Sequence, residues 1–203
     1  MDHYFVDKNS KAYSPQGIRN LFEQAVNNEN GNVEAVLTNK HKYKKLLELW
    51  YSSFLAFGIH KWLKRKFYLS IPSQEPPDVF FLNENNREAF PVEVSELFIY
   101  GQTIFDGDYG KLVQQIWKAK GSTNLEQCHL LLVGRVNSAE FNISHFLIEM
   151  RKFDWKLERI WLGLFTAGTF SWTFFDIFPF GQNNSPSHIS VSIKNQEDMR
   201  YFY

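Results

Sequence analysis

The sequence predicts an α/β fold, a mixed central β-sheet flanked by helices, and three observations carry that prediction. Helix-like and strand-like segments alternate in the order helix, helix, strand, hairpin, helix, strand, helix, strand. The run CHLLLVGRV at 128–136 is apolar throughout, as in a strand covered on both faces. Finally, 203 residues with 44% hydrophobic and 17% aromatic content, including 20 phenylalanines, supply an aromatic core and argue against disorder. We read the chain as a single domain, 1–203.

The elements follow from local pattern. Residues 15–29 place Ile18, Leu21, Phe22 and Val26 on one helical face, with Ser14 as a cap before Pro15. Residues 39–57 form a second helix, in which Tyr43, Leu47, Trp50, Phe54 and Phe57 recur at three and four. Gly58 is a candidate end or kink, with helix resuming over 60–66. The strand FYLSI at 67–71 is followed by a hairpin, 78–83 and 90–98, around the polar turn NENNRE. After a loop at 99–107, Asp108 caps a helix over 109–120 with Leu112, Val113, Ile116 and Trp117 inward, and Gly121 stops it. A strand at 128–136, a helix at about 142–153, the strand RIWLGLF and the β-like runs TFSWTFFDIF and HISVSI complete the chain.

The formal net charge is zero, which disfavours a protein that coats nucleic acid or membrane with its whole surface. The distribution is uneven. Residues 40–66 hold Lys40, Lys42, Lys44, Lys45, Lys61, Lys64, Arg65 and Lys66 against the single acid Glu48, whereas 75–96 hold Glu75, Asp78, Glu84, Glu88, Glu93 and Glu96 against Arg87. Such an arrangement suits a metal-dependent enzyme acting on a polyanion, and it equally suits ordinary surface ion pairs. Cys128 is the only cysteine, which rules out disulfides within the chain and cysteine-rich zinc sites. The N-terminus lacks the pattern of a signal peptide, and no apolar run reaches membrane-spanning length, so a cytoplasmic protein without membrane contact is expected.

The segment PPDVFFLNENNREAFPVEVSEL, 76–97, puts Asp78 and Glu93 in apolar strands. A turn centred between Asn85 and Asn86 sets these two residues opposite each other. Like charges so placed repel unless a cation lies between them. Oxygen ligands of this kind suit magnesium or manganese, which polarise phosphoryl oxygens and activate water. The plainer reading has Asp78 solvated at the strand start and Glu93 paired with a lysine.

Pro77-Asp78, the hairpin and Glu93-Val94-Ser95 resemble the core motif of the PD-(D/E)XK nuclease superfamily, and the element order over about 40–136 is similar to its restriction-endonuclease-like α-β-β-β-α-β core. Residues 1–39 and 137–203 then read as an N-terminal helical and a C-terminal αβ extension. The resemblance implies a magnesium (or manganese) nuclease for DNA or RNA phosphodiesters, with Asp78, Glu93 and the Val94 carbonyl as ligands. Glu48, on the preceding helix, would be a further ligand, although its neighbours suggest an exposed ion-pair former. Ser95 stands where the motif has lysine, and a serine cannot replace a cation. Lys111 and Gln115, with Gln114 and Lys118, could supply the function from the following helix; a solvated face explains them as well. Lys42, Lys44, Lys45, Lys61, Lys64 and Arg65 are the candidate nucleic-acid contacts. The alternative is a catalytically inactive module of the same fold, binding nucleic acid or a protein partner; a homodimer is compatible with either.

Overall fold

The computed structural model describes residues 11–73, 76–83, 89–97, 107–121, 125–134, 141–166, 171–180 and 187–192. Most of the predicted turn, 84–88, and most of the loop at 99–107 lie outside this set. The fold is α/β, with a mixed β-sheet flanked by helices. Two compact units divide the chain, one within Met1–Val94 and the other Ser95–Ser192. The expected core of 40–136 is thus cut between residues 94 and 95.

The first unit contains β1 (Ala12–Tyr13), α1 (Pro15–Asn28), α2 (Val33–Thr38), α3 (Lys40–Leu63), β2 (Phe67–Ser70), β3 (Val79–Asn83) and most of β4 (Ala89–Glu96). Ser14 caps α1 as expected, its Oγ accepting from the Gly17 N–H at 3.0 Å. Helix α1 packs on α3 through Phe22, whose ring stacks on Trp50 at 4.4 Å. The short strand β1 and the helix α2 have no counterpart in the sequence reading, since two and six residues are too few to establish a period.

Helix α3 runs unbroken through Gly58. It is buried on every side from Tyr51 to Ile59, so this stretch has no solvated stripe opposite its aromatic face. It ends at Lys64, whose left-handed φ of 57° lets its N–H reach the His60 carbonyl at 2.8 Å. Strands β1 to β4 pair antiparallel in chain order. The hairpin has the predicted register, from Val79 opposite Val92 to Leu82 opposite Ala89. Phe67, Phe81 and Phe90 make one aromatic cluster across these strands, with ring centroids 4.9 to 6.0 Å apart.

The second unit contains α4 (Tyr109–Ile116), a π-helical turn at Trp117–Gly121, β5 (Leu125–Gly134), α5 (Ile143–Met150), β6 (Leu157–Thr166), β7 (Ser171–Phe178) and β8 (Ser187–Ser192). Strands β5 and β6 are parallel, as a connection through a helix allows, and β6, β7 and β8 continue antiparallel. Leu112, Val113 and Ile116 of α4 and Phe146, Leu147 and Met150 of α5 share a core with Leu130, Leu132, Ile160, Leu162 and Leu164.

Candidate functional site

Asp78 and Glu93 are both buried, at 6% and 3% exposure, and so is Glu48 on α3, at 7%. Asp78 stands one position before β3. Its N–H donates to the Val92 carbonyl at 3.2 Å, and its Oδ2 accepts from the Val94 N–H at 2.9 Å. The carboxylate thus occupies a place in the β4 ladder that a backbone carbonyl would otherwise fill. Registered pairing stops at Val79 and Val92, and Asp78 and Glu93 are the next positions beyond it.

Helix α3 brings charge to Asp78. Lys45 Nζ lies 3.1 Å from Glu48 Oε2 and 3.9 Å from Asp78 Oδ1. Lys44, on the more exposed side, lies 3.6 Å from Glu48 Oε1. The expectation that Glu48 is an exposed ion-pair former is corrected in one respect: it does pair with lysines, but it is buried. The helix is exposed at Lys44 but covered at Leu47, Glu48 and Leu49, a boundary that spacing along one helix does not reveal. Burial first, and the charge of Asp78 second, push the Glu48 carboxyl up to about 7, against the opposing pull of Lys45 and Lys44.

The site donors are all oxygens, as a hard cation requires. Among the described residues, no group of three or more His, Cys, Asp or Glu side chains forms a cage that could hold a metal ion. Magnesium commonly uses only one or two protein carboxylates and keeps several waters.

Ser95, half-buried on β4, and Lys111 and Gln115 on α4 belong to the second unit. Lys111 is exposed and committed to the start of its own helix. Its N–H donates to Asp108 Oδ1 at 2.9 Å, and its Nζ lies 3.2 Å from Asp108 Oδ2. Gln115 is exposed, so the polar stripe of α4 has the character of a solvated face.

The basic residues of α3 separate into two groups. Lys42, Lys44 and Lys45 are near its start, whereas Lys61, Lys64 and Arg65 are at or just beyond its end, roughly 30 Å away at 1.5 Å per residue. Lys42 donates to Glu29 Oε1 at 2.7 Å, and that hydrogen bond raises its already high pKa. Lys61 lies over the Phe57 ring, 5.6 Å from its centroid.

The sequence offers Lys45 both as a nucleic-acid contact and as a neighbour of Glu48. Its spacing of three from Glu48 was a readable signal for an ion pair, but its approach to Asp78 depends on how α3 lies against the hairpin. No helix among the described residues is long and apolar enough to cross a membrane. In comparisons with known proteins, no family model, no curated protein and no solved structure matches this chain.

Proposed function

We propose that the protein is a metal-dependent nuclease that hydrolyses DNA or RNA phosphodiester bonds. Asp78, Glu93 and the Val94 carbonyl would hold magnesium or manganese, with Glu48 as a further ligand. The observation that carries this reading is the burial of three carboxylates on adjacent elements, α3 and the β3–β4 hairpin, with Asp78 anchored by a backbone amide. Buried acids are costly unless a cation compensates them, and a metal ion does so with strong charge. The element order α3-β2-β3-β4-α4-β5 supports the restriction-endonuclease-like form of the proposal.

The ion would polarise a phosphoryl oxygen and lower the pKa of a bound water. The chain's own part is positioning. The Val94 N–H orients Asp78, and in an antiparallel ladder the Val94 carbonyl points to the same neighbouring strand as its N–H. Lys44 and the exposed basic groups at the two ends of α3 would bind backbone phosphates.

Asp78→Asn tests the proposal, because the amide oxygen can still accept from Val94 while the charge is lost. Cleavage of a mixed-sequence oligonucleotide in magnesium should fall by about 100-fold or more, with an unchanged circular-dichroism spectrum. Undiminished cleavage would exclude Asp78 as a ligand. A second reading, an inactive module that binds nucleic acid or a protein partner, is favoured by Ser95 at the lysine position and by the commitment of Lys111 to Asp108. Nucleic-acid binding without either cleavage or manganese binding would establish the nucleic-acid form of that reading.

A further inference from the structure

We infer that Lys45 is the resident cation of this carboxylate site, and that a divalent metal enters by displacing its ammonium from Glu48 and Asp78. The inference rests on the metal-dependent reading above. Its basis is the position of Nζ, which lies 3.1 Å from one buried acid and 3.9 Å from another contributed by a different element. A hard cation placed here would compensate both acids, and a monovalent group on a flexible stem now occupies the position.

The Lys45 side chain is 35% exposed although its Nζ is itself covered, so the stem has a path outward along which the head can move. Two buried oxygens lie along this face of α3, four residues apart. Glu48 Oε2 is buried, with Lys45 Nζ 3.1 Å away as its ion-pair partner. Ser52, one turn further along α3 and fully buried, has an Oγ with no hydrogen-bond partner among the described residues. A hydrated ion brings water donors to such oxygens, whereas one ammonium offers only three donors in tetrahedral directions.

Displacement has a functional consequence. With the metal absent, Lys45 neutralises acids that would otherwise repel each other. Once the metal is bound, the same ammonium stands beside the site and can meet the negative charge of a phosphate, the role for which Ser95 has no charge.

Manganese titration by calorimetry at pH 8 tests this on wild type, Lys45→Met, Lys44→Met and Asp78→Asn, with circular dichroism of each. If Lys45 competes for the acids, Lys45→Met binds manganese tenfold or more tightly than wild type. Lys44→Met changes affinity much less, and Asp78→Asn loses binding. Lys45→Gln, which is closer in polarity, should also bind more tightly and covers the case in which the methionine variant misfolds. Metal binding by Lys45→Met alone, with none by wild type, also supports displacement. Wild-type binding that is unchanged or weaker on loss of Lys45 overturns the inference while leaving the metal site standing. Absence of binding in every protein overturns the metal-dependent reading and this inference with it.

Discussion

His129 on β5 shows how one residue can set a pH limit. It is cross-strand partner to Arg159 of β6, which in turn lies 3.3 Å from Asp176 of β7. Burial first, and the Arg159 charge second, lower its pKa from 6.5 to about 4. A depressed folded-state pKa means that the native state resists taking up a proton which the unfolded chain accepts. The contribution to stability is therefore complete above pH 6.5 and is lost as pH falls toward 4, by up to about 3 kcal/mol. Asp176 faces the same cluster, and burial raises its pKa despite Arg159, so its own contribution has the opposite sign and is lost as pH rises. Urea midpoints measured at pH 7, 6 and 5 should fall steeply for wild type and much less for His129→Gln. Parallel profiles would remove His129 as the cause.

At the scale of elements, tight packing explains features that look idle in the sequence. Gly163, in the middle of β6, pairs with Phe174, and a Cβ there would stand 2.7 Å from the Phe174 ring. That ring is 1% exposed and cannot swing away. Gly163→Ala should cost ~1–3 kcal/mol in urea denaturation, as other overpacked cores do. The opposite sign would mean that β6 and β7 shift apart easily. Removing the cap of α1 with Ser14→Ala should cost ~1 kcal/mol by the same measurement, since the Gly17 N–H loses its acceptor. Capping signals of this kind were legible in the chain: Ser14 and Asp108 both perform the role expected of them.

At the scale of the whole molecule, the two basic groups of α3 set a length requirement for any nucleic acid that uses both. Their separation of roughly 30 Å corresponds to about nine base pairs of duplex at 3.4 Å per pair. A duplex shorter than this reaches one end of the helix only. Its log K against log salt slope should therefore be shallower than that of a duplex twice as long, in a fluorescence titration. Equal slopes would exclude the two-ended footprint.

The hairpin register was legible in the sequence, because a turn centred between Asn85 and Asn86 aligns Val79–Leu82 with Ala89–Val92, and the structure selects that alignment over a one-residue slip. The order of the longer helices and strands was legible because periodicity and caps are local properties, whereas β1 and α2 are too short to show a period. The burial of Glu48 was not, since it depends on what surrounds α3, and the meeting of Lys45, Glu48 and Asp78 required a helix to lie against a strand distant from it in the chain. Local pattern identified the acids, whereas only tertiary packing decided which cation stands beside them, because a charge pair across elements leaves no period in the sequence.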